Sequence, residues 1–131
     1  MDRHQLTLSL FEGCLAVCRL PANSQVPTWA FAKGPLNSIT RSERELSVIC
    51  AEGAVPSGVR CERGWRVMKV ENPLNFALTG ILVSLAVPLA EAGVSIFTVS
   101  TFDSQYLMVK EASIEVALKI LVNAGHEIQV H

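Results

Sequence analysis

The chain has little histidine, and what it has stands at its ends. His4, His126 and His131 are the three among 131 residues. None of them is placed like a catalytic base, and no Ser-His-Asp, Cys-His or paired-carboxylate set can be assembled around them. Cysteine is sparse as well. Cys14, Cys18, Cys50 and Cys61 lack the paired C-x-x-C spacing of a structural zinc knuckle. They are expected as reduced thiols, several of them pointing inward from strands, and no metal site or cofactor is expected. An excess of charge of one sign is missing too: 11 basic residues face 12 acidic ones. Stretches such as Arg41 to Glu45, "RSERE", interleave the two signs and read as a solvated turn. No basic stripe is left to neutralise phosphates, which argues against a nucleic-acid partner.

Long hydrophobic runs are absent. The most apolar window, Leu78 to Leu89, is well short of the roughly twenty residues a membrane span needs. The opening "MDRHQLTLSLF" has too short an apolar run for a secretory signal. A cytoplasmic protein with no membrane partner is therefore expected. Half of the residues are apolar and 18% are charged, which excludes a disordered chain. That leaves one compact domain, or two very small ones sharing a core.

The C-terminal half carries the clearer periodicities. Trp65 to Glu71 reads as a strand rich in β-branched and aromatic residues. After a loop, "NPLNFAL", Thr79 is an N-cap candidate for a helix running to about Ala92. Ile81, Leu82, Leu85, Leu89 and Ala92 form its buried stripe. Pro88 argues against a uniform helix, and Gly93 suits the left-handed position past the helix end. Strands Val94 to Ser100 and Tyr106 to Lys110 follow, joined by the polar turn "STFDSQ". That turn contains no glycine, although a minimal hairpin favours Asn-Gly or Asp-Gly. A second helix, capped by Ser113, runs to Asn123 and ends at Gly125, and "HEIQV" supplies a last strand. The order is the split β-α-β of a ferredoxin-like α+β domain.

The N-terminal half reads as a reduced version of the same unit. Strands fit Leu6 to Phe11, Cys14 to Leu20, Leu36 to Thr40 and Leu46 to Ala51. "EG" is expected to turn the first hairpin, and "VPTWAFA" to make at most one helical turn. Placing "ITRSERELSVI" over "VSTFDSQYLMV" aligns apolar ends around a polar turn at an offset of sixty residues.

The run "GWRVMKVENPLNFALTGILVSLAVPLAEAGVSIFTVSTFDSQYLMVKE" resembles the C-terminal module of small bacterial ACT-domain proteins. It is also similar to the regulatory ACT modules of aspartokinases and of CASTOR-type arginine sensors. "LAVCRLP", "SITRSERELSVIC" and "GWR" extend the resemblance across nearly the whole chain. The resemblance implies two tandem ferredoxin-like βαββαβ (ACT) units, a degenerate one at residues 1–63 and a fuller one at 64–131. It implies a non-catalytic regulatory module that binds a free amino acid at an interface between units, and a homodimer or higher homo-oligomer. It places the ligand against Leu78, Thr79, Gly80 and Ile81 at the helix start, and against Thr101, Phe102, Asp103 and Gln105 of the hairpin.

The chemistry of those residues agrees with that assignment. A helix N-terminus offers unpaired N–H groups and a positive dipole end to a carboxylate. Gly80 allows close approach of a ligand to the backbone. Asp103 can attract an ammonium group, and Phe102 can cover an aliphatic stem. Related sensors hold a basic side chain with an acid that here is Gln105, and the matching acid before the helix glycine is replaced by Leu78. A buried cation would lack its partner, at a cost of several kcal/mol, so a basic amino acid is disfavoured. The alternative reading is a structural or interaction dimer whose pocket is closed.

Overall fold

The chain forms eight strands and two α-helices among its described residues, most of the strands carrying β-branched or other apolar side chains and each helix an apolar stripe. A computed structural model describes residues 5–71 and 78–130, the first two residues of the first helix by backbone alone. The expected loop after Glu71 lies outside the described residues, as do His4 and His131. Two compact units emerge, one formed by Met1–Glu12 with Arg66–His131 and the other by Gly13–Trp65.

The larger unit contains β1 (Thr7–Leu10), the second part of β5 (Arg60–Val70), α1 (Leu78–Glu91), β6 (Ile96–Ser100), β7 (Gln105–Lys110), α2 (Ile114–Asn123) and β8 (Glu127–Val130). Its strand order is β8-β1-β5-β7-β6. This is the ferredoxin-like order with one strand added. β1 lies between β5 and β8, antiparallel to β5 and parallel to β8. The expected hairpin at Glu12-Gly13 is therefore corrected. Gly13, at φ 81°, does turn the chain, but β1 pairs within this unit and not with the strand that follows. Leu6, Leu8 and Leu10 explain the choice. All are buried in the core with Met68, Ile81, Leu85, Leu89, Leu107 and Leu121. Each buried leucine contributes roughly 1.5–3 kcal/mol, which a solvent-exposed hairpin would forgo.

Both helices end as their glycines require. Gly93 (φ 77°) and Gly125 (φ 99°) adopt the left-handed conformation. Val94 N–H reaches back to Leu89 C=O at 2.9 Å, and His126 N–H to Leu121 C=O at 3.0 Å, the Schellman pattern. Thr79 lies inside α1, so it is not the residue that caps it. Ser113 does stand at the N-cap of α2, but its hydroxyl makes no cap bond, because a 3-10 turn over Glu111–Ser113 leads straight into the helix.

Pro88 sits within α1 without ending it. A proline has no N–H, so the carbonyl four residues earlier, on Ser84, has no helical donor. His126 supplies one from another element: its Nε2 lies 3.0 Å from Ser84 O. Its Nδ1 accepts from the N–H of Leu6 at 3.1 Å. These partners fix the tautomer with the proton on Nε2. One buried imidazole thus joins α1, the end of α2 and the approach to β1.

The smaller unit contains β2 (Leu15–Leu20), a 3-10 turn at Thr28–Phe31, β3 (Ser38–Arg41), β4 (Leu46–Ala51), a 3-10 turn at Glu52–Ala54 and the first part of β5. Its order is β3-β4-β2-β5, with antiparallel pairs throughout. The first part of β5 was not expected as a strand. Arg60, Glu62 and Arg63 are exposed, so no hydrophobic alternation marks it, and pairing with β2 holds it extended. Its core gathers Ala16, Cys18, Ala30, Leu46, Val48, Cys50 and Val55. Among the described residues no helix is long and apolar enough to cross a membrane.

Candidate functional site

The β6–β7 hairpin closes with Ser100 opposite Gln105. Thr101 N–H donates to Ser104 C=O at 2.8 Å. The return bond is made by a side chain: Ser104 N–H donates to Thr101 Oγ1 at 3.0 Å. A hydroxyl standing in for a backbone carbonyl lets the chain reverse without a left-handed residue. No non-glycine residue among those described has positive φ. That answers why a tight turn here needs no glycine.

The turn ties itself from below and leaves its tip free. Gln105 is fully buried, with its Oε1 accepting from Ser100 Oγ at 2.6 Å and its Nε2 donating to Tyr106 C=O at 3.2 Å. Both ends of the amide are thereby occupied inside the hairpin. Phe102 stands at the tip at 100% exposure, beside an exposed Asp103. A bare aromatic ring next to a carboxylate on an anchored turn is a surface suited to an apolar group and an amine.

Of the residues expected at the helix start, Gly80 is half-buried in the first described turn of α1, and Ile81 is buried in the core. Leu78 and Thr79 are helical in backbone, and their side chains lie outside the described residues. The structure therefore gathers Thr101 and Gln105 by hydrogen bonds within the hairpin and sets Phe102 and Asp103 outward. It assigns Ile81 to packing. The side-chain hydrogen bonds of Ser100, Thr101 and Gln105 close on the hairpin itself. Ser100 and Ser104 were not singled out from the sequence. Their signal is the hydroxyl-rich "STFDS" itself, since hydroxyl side chains at turn ends bond local backbone.

The same device recurs in the smaller unit. Ser42 N–H donates to Glu45 C=O at 2.9 Å, and Ser42 Oγ accepts from Arg44 N–H and Glu45 N–H at 3.2 and 3.3 Å. β4 and β7 share the burial pattern buried-intermediate-buried-buried-buried-intermediate. Each runs into a 3-10 turn, at Glu52–Ala54 and Glu111–Ser113. Turns, strands and 3-10 turns correspond at a separation of 59 residues, one fewer than the sequence alignment suggested. After the second of these turns the chain continues into α2. After the first it meets Pro56, and then Gly58 at φ 89°, so no helix follows.

A family model for the ACT domain matches residues 60–123, and a separate N-terminal-domain model matches residues 13–58. No curated protein matches the chain. Among solved structures, protein Atu0741 of Agrobacterium tumefaciens is 37% identical, with a TM-score of 0.91 over 98% of this chain and 95% of that one. The regulatory subunit of aspartate kinase from Thermus thermophilus, in its ligand-free form, is 9% identical, with a TM-score of 0.63 over 94% of this chain and 99% of that one. Aspartokinase III of E. coli, in complex with aspartate and ADP, is 14% identical, with a TM-score of 0.62 over 89% of this chain and 32% of that one.

Proposed function

The chain belongs to the ACT-domain family, and from that premise we propose that it is a regulatory module that binds a free, non-basic amino acid and performs no chemistry itself. The smaller unit serves in this reading as a second, reduced ACT unit. The shared strand order and the 59-residue correspondence of its turn, strand and 3-10 turn support that assignment.

The observation that carries the reading is the tip of the β6–β7 hairpin. Phe102 is fully exposed on a turn that three side chains hold in shape, and a large aromatic exposed to that extent favours a covering surface. In a homodimer that pairs ACT units of two chains, the cover is the partner, and Asp103 stands at the rim to meet the ligand's ammonium group. The first turn of α1, at Thr79 and Gly80, receives the carboxylate. Gln105 offers no charge and has no free amide atom, which agrees with a ligand lacking a cationic side chain.

Thermal unfolding in the presence of each of the twenty amino acids tests this. A ligand at a hundred times its Kd stabilises by about 2.7 kcal/mol, a shift of several degrees for a domain of this size. Gly80→Val should abolish that shift while leaving the dimer intact. No shift with any of the twenty would reject amino-acid binding.

A second reading is favoured by the two positions already engaged elsewhere. Ile81 lies in the core and the amide of Gln105 is internally bonded. If the remaining contacts are also internal, the module is a pairing domain without a pocket. A stable dimer that no amino acid stabilises identifies that case.

A further inference from the structure

The smaller unit brings three thiols onto one face of its sheet. Cys18 on β2 and Cys61 on β5 are directly opposite in register. Cys50 on β4 faces Ala16, one diagonal step from Cys18. All three pack in the same apolar cluster. Residues directly opposite across an antiparallel pair have Cβ atoms about 4.5–5.5 Å apart, and a disulfide needs about 3.5–4.5 Å. Joining Cys18 to Cys61 asks for a small approach and no rearrangement of strands.

Access to the three is unequal. Cys18 and Cys50 are buried, at 1% and 0% exposure, whereas Cys61 is half-buried and reachable from solvent. Among the described residues no group of three or more His, Cys, Asp or Glu is arranged to hold a metal ion. The chemistry left to this cluster is that of sulfur itself.

We propose that Cys61 and Cys18 form a reactive dithiol, with Cys61 the point of attack on a small disulfide of the glutathione class and Cys18 the resolving thiol. In the first step the Cys61 sulfur attacks one sulfur of the small disulfide. The sulfur–sulfur bond of the reagent breaks, and one small thiol leaves with the proton that Cys61 gave up. In the second step Cys18 loses its proton to solvent and attacks the Cys61 sulfur, expelling the second small thiol. Two protein thiols are oxidised by two electrons, and one small disulfide is reduced to two thiols. The product staples β2 to β5, the strands that open and close the smaller unit.

The environment sets the order and the pace of the two steps. Burial first, then the neighbouring Cys50 and Cys61, push the Cys18 thiol up to about 12, while Arg63 acts in the opposite sense. Cys18 therefore keeps its proton at neutral pH. Thiolate is the attacking species in thiol–disulfide exchange. The mixed disulfide on Cys61 therefore forms first, and the Cys18–Cys61 bond follows more slowly.

Incubating the full chain with oxidised glutathione, quenching in acid and mapping the peptides over time tests the proposal. The expected course is a single glutathione adduct on Cys61, replaced later by a Cys18–Cys61 disulfide, with the second phase faster at higher pH. Cys61→Ser should prevent both products, and Cys18→Ser should stop the reaction at the adduct. Cys18 lies in the core, so if its variant does not fold, the order of products in the unmodified chain decides alone. First modification at Cys14 or Cys50, or an end product other than the Cys18–Cys61 bond, would overturn the proposal.

Discussion

Replacing His126 with phenylalanine keeps a planar ring in the same buried place and removes two hydrogen bonds at once. The carbonyl of Ser84 loses its donor, and the N–H of Leu6 loses its acceptor. Leaving a buried backbone group unsatisfied costs about 1–3 kcal/mol, so the pair should cost on the order of 2–6 kcal/mol. That is a large share of the 5–15 kcal/mol that holds a typical domain together. The Ser84 part of this cost can be isolated, because it arises from the missing N–H of Pro88. Pro88→Ala restores that N–H, so the alanine substitution should stabilise the His126→Phe background more than it stabilises the native one. The difference should be about 1–2 kcal/mol, while the Leu6 part remains lost. Urea unfolding of the four chains measures this, read as shifts in midpoint at constant slope. Hydrogen exchange at the Leu6 amide supplies the second half, rising with His126→Phe and staying raised in the double variant. Additivity within about 0.3–0.5 kcal/mol would refute the idea that His126 replaces the bond that proline deletes.

Other outcomes follow from single features. Gly93→Ala and Gly125→Ala should each cost about 1–2 kcal/mol by thermal unfolding. No atom lies within 4 Å of the added carbon, so the whole cost is backbone conformation at positive φ. Gln105→Glu should lower stability by several kcal/mol in urea, since it buries a charge and sets carboxylate oxygens against the Tyr106 carbonyl. Burial pushes the Cys18 thiol from 9.0 up to about 12. The folded state therefore holds this proton more tightly, and its stabilising contribution is complete below about pH 9 and disappears as pH rises towards 12. Unfolding midpoints measured across that range should fall, and Cys18→Ala should flatten the fall. Phe102→Ser should leave the monomer's stability within about 0.5 kcal/mol, because the side chain is fully exposed. The same change should weaken dimerisation in sedimentation measurements.

The parts of the fold written in local pattern were legible in the sequence. Strand β4 matches its expected bounds, Leu46–Ala51, and α1 buries Ile81, Leu85 and Leu89 of its expected stripe, while Leu82 is half-buried and Ala92, at the helix end, is exposed. Where the sequence misled, the deciding contact was distant. Glu12-Gly13 reads as a hairpin, yet β1 pairs with β5 and β8 because three leucines fill the core there. Pro88 reads as a helix breaker, and the group that spares the helix is His126, 42 residues beyond the Ser84 carbonyl it bonds. The polar "RCERG" carries no strand pattern, because its extended form comes from the pairing of β5 with β2. The repeat alignment was off by one because it matched apolar ends. Ser42 and Thr101, whose hydroxyls close the two turns, fix the correspondence instead. At the candidate site, the sequence identified Gln105 as the residue in place of an acid. Only the structure shows that Ser100 and Tyr106 occupy its amide.

Titration calorimetry of the chain with a panel of free amino acids is the most direct test of the regulatory reading. The account predicts saturable binding of at least one neutral or apolar amino acid, no binding of arginine or lysine, and loss of the signal in Asp103→Asn. A chain that binds arginine or lysine, or that binds no amino acid while remaining a folded dimer, would contradict it.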